Sequence, residues 1–384
     1  MPWKETDVRS ERIAFVVRAL AAGSSISALC REYGISRKTG YKWLRRYEEV
    51  GSLSRLAEHS RRPHSSPSRT PEAIELRVEA LRQRYGWGSK KLQCLLAEEG
   101  LELPRITIDR ILKRRGLVER STAAKPAPRR FERRRPNELW QMDFKGEEYR
   151  WGRPWVYPLS LLDDHSRYCL GLYALRRKDH SSVQSQLIQT FDAYGVPEAM
   201  LVDHGTPWWS PANGHGLTRL SVFLLQQDIQ LIYSGIGHPQ TQGKVERFHR
   251  TLGESVARRG RISTIPECQR VLDHFRQEYN TVRPHEALEM ARPAERYRPS
   301  PRRYQPKPKA WEYPEGAEVQ RLNSSGCLDY SSTRYFVCEA LADEQVRCQR
   351  FRNRLLVTYR TLQVREIDLA TGRTTAVVLS LIHI

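Results

Sequence analysis

Hydrophobic and polar positions follow one rhythm in the first third of the chain, another in the middle and a third near the end. Over residues 11 to 50 the apolar positions recur at helical spacing. ERIAFVVRALAAG stops at Gly23, ISALCREYG begins behind Ser24, Ser25 and Ser27, and ISRKTGYKWLRRYEEVG begins after Gly34. Helix, short glycine-containing turn and helix predict a helix-turn-helix unit over residues 1–53, whose second helix enters a major groove. Ile35, Trp43 and Leu44 fall to its core, and Arg37, Lys38, Thr39, Tyr41, Lys42, Arg45 and Arg46 fall outward. SRLAEHSRRPHSSPSRTP, residues 54–71, is rich in Ser, Pro and Arg and predicts an extended linker. Helical spacing resumes over residues 72–120 in EAIELRVEALRQRYG, SKKLQCLLAEEG and TIDRILKRRGLV. A second helix-turn-helix or winged-helix module fits, with Thr107, Arg110, Lys113, Arg114 and Arg115 outward. A second basic linker covers residues 121–136.

From residue 139 the pattern changes. LWQMDFKGEEY, WVYPLSLLDDHSRY and CLGLYAL are strand-like with turns between them, SSVQSQLIQTFDAYG is an amphipathic helix, and EAMLVDHG is a short apolar strand ending in polar residues. SVFLLQQDI predicts a helix, QLIYSGI a strand, and GKVERFHRTLGESVARRG and PECQRVLDHFRQEYN two further helices. A mixed five-stranded sheet covered by helices follows for residues 137–300, an α/β core between all-α modules and what comes after. Residues 301–318 are proline-rich and basic, a third linker. Over residues 319–378 apolar and polar residues alternate in VQRL, RYFVC, QVRCQRF, RLLVTY and VREID, which predicts a small β-rich domain. The last six residues, LSLIHI (379–384), break the polar, basic trend. They match a translation of a transposon-end sequence used in sequencing adapters and are read as an appended tail.

Charge sharpens the division. The chain has 384 residues and a formal net charge of +20. Residues 1–136 hold 31 Lys and Arg against 16 Asp and Glu, whereas residues 137–300 hold 20 against 19. A basic N-terminal third on a nearly neutral middle points to a polyanion, with nucleic acid as the leading partner. Seven scattered cysteines, with no C-x-x-C pair, fit reduced thiols better than a disulfide framework or a zinc site. No apolar run reaches the roughly 18 residues of a membrane span, and the N-terminus lacks a signal-peptide core. A cytoplasmic protein on the nucleoid is expected.

Candidate chemistry lies in three acids. Asp143 sits in the first strand of the middle region, Asp203 closes the fourth, and Glu246 lies in the first turns of the helix after the fifth. Ligand sites gather beyond the carboxyl ends of strands in such sheets. Three carboxylates brought together repel one another, and a divalent cation removes that cost. Hard oxygen donors favour Mg²⁺ or Mn²⁺. Two such ions, about 3.5–4 Å apart, can activate an attacking oxygen and stabilise a leaving one in phosphoryl transfer. Around Glu246 stand Lys244, Arg247 and Arg250, which would hold DNA phosphates. Asp163 and Asp164 are read as capping their turn by bonding Ser166 or Arg167 rather than as further ligands. Trp208 and Trp209 can stack on unpaired bases or pack a loop. His249 is read as a neighbour of Glu246 rather than a proton-transfer group, and Asn280, Arg283 and His285 as fixing a helix end.

WQMDFKG, LLDDHSRY, LVDHGTPW, HPQTQGKVERFHRTL and YNTVRPHEAL, with SISALCREYGISRKTGYKWLRRY, SRRPHSSP and RYGWGSKKL before them, resemble the DDE transposases of insertion sequences, which have a retroviral-integrase-type core. The resemblance covers most of residues 10 to 300. It implies a ribonuclease-H-like core and metal-ligand roles for Asp143, Asp203 and Glu246. It also implies strand cleavage and strand transfer on the terminal inverted repeats of an element and on target DNA, by a homo-oligomer assembled on DNA. Lys244 aligns with a residue that family members use near the DNA end. His204 stands where retroviral-type cores usually have Asn, the stretch from Asp203 to Glu246 is longer than usual, and the His/Cys zinc domain of retroviral integrases is absent. Two other readings are a domesticated DNA-binding regulator, against which the three intact acids argue, and a structure-selective nuclease with the same core.

Overall fold

A computed structural model describes residues 7–53, 56, 69–118, 132–146, 156–210, 216–233, 243–258 and 262–377. Most of the first two predicted linkers and the LSLIHI tail lie outside the described residues. The chain forms two compact units, residues 1–71 and 72–384.

The first unit is three helices, α1 (Val8–Leu20), α2 (Ile26–Glu32) and α3 (Arg37–Val50). Asp7, Ser25 and Ser36 cap them, each side chain accepting from a backbone N–H of the first turn. Phe15, Val16, Leu29, Cys30, Trp43 and Leu56 form the core. Gly40 lies inside α3 because a Cβ there would meet Cys30 Sγ at 2.5 Å and Phe15 Cζ at 2.9 Å. The close approach of the three helices repays its poor helix propensity.

The second unit begins with α4 (Glu72–Tyr85), α5 (Ser89–Glu98) and α6 (Arg105–Arg114), packed through Val78, Leu81, Leu92, Leu96, Ile108 and Ile111. A five-stranded sheet follows, made of β1 (Trp140–Phe144), β2 (Tyr157–Asp163), β3 (Cys169–Leu175), β4 (Ala199–Val202) and β5 (Gln230–Tyr233). Its order is β3-β2-β1-β4-β5. β1, β2 and β3 are antiparallel neighbours, while β1–β4 and β4–β5 are parallel. This is the expected mixed sheet of a ribonuclease-H-like core.

Strand alternation sorts the residues onto two faces. Trp140, Met142, Phe144, Leu159 and Leu161 pack with Leu187 and Phe191 of α7 (His180–Tyr194) and Leu220 and Phe223 of α8 (Arg219–Gln226). Leu162, Cys169 and Leu172 pack with Phe248 and Leu252 of α9 (Gly243–Ala257) and Leu272 and Phe275 of α10 (Ile265–Thr281). Gln141 and Asp143, lying between the outward residues of β1, therefore belong to the α9–α10 side. The chain after α10 returns to the sheet: Val196 N–H donates to the Arg302 carbonyl (2.8 Å), and Tyr304 packs against Phe191 and Phe223. Contact with the core thus continues past residue 300, where a linker is expected to begin.

The last part is β-rich. Strands β6 (Glu318–Arg321), β7 (Cys327–Tyr330), β8 (Thr333–Phe336), β9 (Gln345–Phe351), β10 (Arg354–Tyr359), β11 (Leu362–Asp368) and β12 (Thr374–Ala376) form a β7–β8 hairpin and an antiparallel sheet of order β12-β11-β10-β9-β6. Its apolar side shares a cluster with Leu217 and Val222. Gln226 Nε2 donates to Glu344 (2.8 Å), and Arg360 pairs with Asp228 (2.6 Å). All seven cysteines are unpaired. Among the described residues no helix is long and apolar enough to cross a membrane.

Asn280 stitches α10 to the edge strand β3. Its Oδ1 accepts from Cys169 N–H (2.8 Å) and its Nδ2 donates to the Cys169 carbonyl (2.9 Å), out of solvent. Asn280→Ala would orphan both backbone groups, so chemical denaturation should register a loss of about 2–4 kcal/mol. A loss no larger than that of an exposed substitution on the same helix would show that the stitch contributes nothing.

Candidate active site

β1 ends at Phe144, so Asp143 stands at the carboxyl end of the central strand, opposite Ser160 of β2. Asp203 follows the last residue of β4, the parallel neighbour of β1. Glu246 lies in the first turn of α9, which sets Val245, Phe248, His249 and Leu252 inward and leaves Glu246 exposed. Asp203 and Glu246, from distant parts of the chain, lie near enough for their charges to act on Asp143. Their mutual field registers on Asp143: burial, then the charge of Asp203, then more weakly that of Glu246, push its carboxyl up to about 7. An N–H from Phe144 and the Lys178 ammonium pull the other way. Lys178 also lies over the rings of Phe144 (5.4 Å) and Tyr157 (5.0 Å).

Asp203 is oriented from its own loop. Its Oδ1 accepts from Gly205 N–H (2.9 Å) and from the Trp208 indole N–H. Trp208 is buried and stacks on Phe144 at 5.4 Å, so it packs and orients rather than offering a face to unpaired bases. A Cβ on Gly205 would come within 3.0 Å of that carboxylate, so glycine lets the turn close over Asp203. Trp209 packs edge-on against His204 and Tyr233.

His249 is buried one turn beyond Glu246. Its Nε2 lies 2.5 Å from Ser160 Oγ, its carbonyl accepts from Lys145 Nζ (2.6 Å), and its Nδ1 is 3.8 Å from Asp143 Oδ2. Burial, then the Lys145 charge, lower its basicity to about 3, leaving a neutral ring that ties α9 to β1 and β2. Asp163 caps its turn as expected, whereas the Asp164 carboxylate turns to groups outside it. Asp163 accepts from Ser166 N–H (2.7 Å), Ser166 Oγ (2.5 Å) and Asn137 N–H (2.7 Å). Asp164 accepts from Gln141 Nε2 (2.8 Å) and Arg133 N–H (2.8 Å) and pairs with Lys244 (2.6 Å).

Lys244 is therefore a correction. Expected at the DNA phosphates, it is mostly buried and turned into the protein, because the Asp164 carboxylate lies within reach of its first-turn position. Burial lowers its ammonium to about 8 against the opposing pull of Asp164. Arg247 and Arg250 stay exposed on α9.

In the helical modules, Arg37, Lys38, Lys42 and Arg45 are exposed on α3, and Thr39 is half-buried at the Ser36 cap. Arg46 is a second correction: it is buried with its guanidinium over the Trp43 ring at 4.8 Å, a ring that Arg12 and Lys42 also cover. An aromatic face at helical spacing draws the planar cation inward. On α6, Arg110 and Lys113 are exposed, but Arg114 pairs with the fully buried Glu75 of α4 (2.7 Å), as Arg115 does (3.3 Å). Arg114 thus remains exposed while its guanidinium also neutralises an internal charge. Sequence pattern missed the supporting parts Lys145, Ser160 and Lys178, and left Trp208 between base stacking and loop packing. Only the alternation of β2 carried a signal, since it places Ser160 among apolar neighbours.

The chemistry of the donors fits a hard divalent cation. Carboxylate oxygens predominate, the one imidazole is buried and held by Ser160, and the raised affinity of Asp143 for a proton is relieved by any positive charge placed there. As the side chains lie, no three acids, histidines or cysteines among the described residues are close enough to share one ion.

Family models match both the core and the helical modules. The family described as integrase core domain matches residues 133–239 and, in a second form, 227–293. A helix-turn-helix domain matches residues 11–64 and a homeodomain-like domain residues 39–112. The chain is 26% identical to the insertion element IS407 uncharacterized 31.7 kDa protein of Burkholderia multivorans, over 65% of this chain and 89% of that one. It is 27% identical to the transposase for transposon Tn552 of Staphylococcus aureus, over 32% of this chain and 27% of that protein. A solved chain of the simian T-cell lymphotropic virus intasome is 12% identical, covering 79% of this chain and 96% of its own length at a TM-score of 0.40. The chain thus matches integrase core domains behind helix-turn-helix and homeodomain-like domains, and its relatives include insertion-element proteins and a transposase, in line with the motifs.

Two outcomes follow from the geometry. Asp143 binds its proton more tightly folded than unfolded, so between pH 4 and 7 rising pH should destabilise metal-free protein relative to Asp143→Asn, by up to about 1.4 kcal/mol per pH unit. Added Mg²⁺ or Mn²⁺ should close that gap at pH 7 and above. Melting curves of both proteins decide it, and a gap that narrows with pH in metal-free buffer contradicts the placement. On α3, Arg45→Ala should weaken DNA binding and lessen its salt dependence by about one ion, with an unchanged melting temperature. Arg46→Ala should instead lower the melting temperature, by a few degrees. Exchanged phenotypes would reverse the two assignments.

Proposed function

We propose that this protein, an integrase core joined to helix-turn-helix modules, is a transposase that recognises the terminal inverted repeats of its element and catalyses DNA strand cleavage and strand transfer. The observation that carries the reading is the field on Asp143. Asp203 and Glu246, 60 and 103 positions further along the chain, act on one buried carboxyl. A fold has little reason to accumulate such repulsion unless a cation is to relieve it.

Asp143, Asp203 and Glu246 would hold Mg²⁺ or Mn²⁺, which when bound supplies activation of an attacking oxygen and charge neutralisation at the scissile phosphate. The protein's own share is orientation. Gly205 N–H and the Trp208 indole fix one oxygen of Asp203. His249 and Lys145 moor α9 to the sheet, so that Glu246 is presented from a rigid first turn. Neutral His249 is not placed to carry a proton; Arg247 and Arg250, exposed beside Glu246, are suited to the backbone of the DNA being cut. Exposed Arg37, Lys38, Lys42 and Arg45 on α3, with Arg110 and Lys113 on α6, would bind the element end, and the basic excess of residues 1–136 would favour its approach.

Asp143→Asn, Asp203→Asn and Glu246→Gln should each lower cleavage and strand transfer by about a thousandfold or more, the scale for removing one member of such a group. Binding to a labelled element end should persist. Appreciable turnover by any one of them in Mg²⁺ would exclude that acid from the site, and turnover by all three would defeat the reading.

A further inference from the structure

Asp164 lies outside the proposed acids, yet its carboxylate reaches three parts of the core at once. It is fully buried. Oδ1 accepts from Gln141 Nε2 at 2.8 Å and meets Lys244 Nζ at 2.6 Å, and Oδ2 accepts from Arg133 N–H at 2.8 Å. Its backbone carbonyl takes a second contact from Lys244 Nζ (3.2 Å), and its N–H extends the β1–β2 ladder by donating to Leu139 (2.9 Å). Gln141 stands two residues before Asp143 on β1. Lys244 stands two residues before Glu246 on α9. Arg133 belongs to the segment that enters the core from the helical modules.

That segment is held to the same turn by further bonds. His165 Nδ1 lies 2.9 Å from the Arg133 carbonyl, Arg167 pairs with Glu132 (3.2 Å), and Asp163 accepts from Asn137 N–H (2.7 Å). Turn capping needs only Asp163, which already satisfies Ser166 and Asn137. Capping alone leaves no reason for a second buried acid whose partners all lie on other elements. Burying a charge is costly unless it is paired and hydrogen-bonded, and Asp164 meets that condition only while strand, helix and entering segment keep one arrangement.

We propose that Asp164 is a positioning residue, a buried hub that with Lys244 sets the distance between the Asp143 strand and the Glu246 helix and joins that setting to the segment arriving from the DNA-binding modules. The inference rests on the transposase reading for its consequence and on the contacts above for its geometry. Lys244 acts through Asp164 and not on DNA. The first turn of α9 is thereby held on one side of Glu246 by Lys244 and on the other by His249.

The test uses full-length protein with Lys244→Met, Asp164→Asn, the double variant and Lys244→Arg. Strand transfer is measured at saturating element-end DNA and Mg²⁺, end binding is measured across salt concentrations, and amide hydrogen exchange is followed over residues 243–248. Each single neutral change should lower the saturated rate by about 10- to 100-fold, the scale for misplacing a catalytic group by around an ångström. The double should be no slower than the worse single, because both remove one interaction. End affinity and its salt slope should stay as in the wild type, exchange at the start of α9 should quicken, and Lys244→Arg should recover most of the rate. If Asp164→Asn fails to fold because Lys244 is left buried and unpaired, the double variant, with neither charge, carries the comparison. A loss of affinity with a salt slope smaller by about one in Lys244→Met alone would make Lys244 a phosphate contact and overturn the proposal. Multiplying rate losses in the double, or unchanged exchange over residues 243–248, would overturn it as well. Should the wild type itself transfer no strands, the transposase reading fails, and exchange alone decides whether the hub holds α9.

Discussion

Burial of the Asp143 carboxyl at the end of the central strand, where the charges of Asp203 and Glu246 act on it, is the constraint on this part of the core. Asp143 cannot be moved outward, because it lies in the central strand between Met142 and Phe144, whose side chains fill the opposite face. Around it Lys145 is turned to the His249 carbonyl and Lys244 to Asp164, while the Lys178 ammonium, lying across aromatic faces, draws the Asp143 carboxyl back down.

Holding repelling groups together requires stiffness, and the surrounding contacts supply it by several independent means. Backbone pairing fixes β1 between β2 and β4. The Trp208 indole and Gly205 N–H hold Asp203, with Phe144 stacked beneath the indole. α9, which has no backbone ladder to the sheet, depends on side chains: His249 to Ser160, Lys145 to the His249 carbonyl, and Lys244 to Asp164. Its apolar face, Val245, Phe248, Leu252 and Val256, supplies adhesion but little register, since dispersion contacts tolerate small slides. Polar ties at both ends of the first two turns supply the register.

The helical modules show the same economy with charge. Of the many basic residues in the first 136, some hold the protein together. Arg46 covers Trp43, and Arg114 and Arg115 converge on the buried Glu75. Others, on the exposed faces of α3 and α6, add to the field available to a polyanion. Net charge therefore overstates the number of groups free for DNA and still gives its sign correctly.

Periodicity alone was enough to read the order of helices and strands and the division into helical, mixed and β-rich parts, and the strand and helix ends it marked singled out three acids for proposal. Those features depend on local spacing, and carboxylates at strand ends are visible without coordinates. The direction of individual long side chains was not legible. Lys244 and Arg46 look like surface cations in a one-dimensional pattern, because the partners that draw them inward are 80 and 3 positions away, the first in a different part of the fold. Asp164 likewise resembles an ordinary turn cap until Gln141, Arg133 and Lys244 are brought around it. Lysine and arginine reach far enough for either water or a buried partner to win. Which one wins depends on what the tertiary fold places within a few ångströms of the charged end.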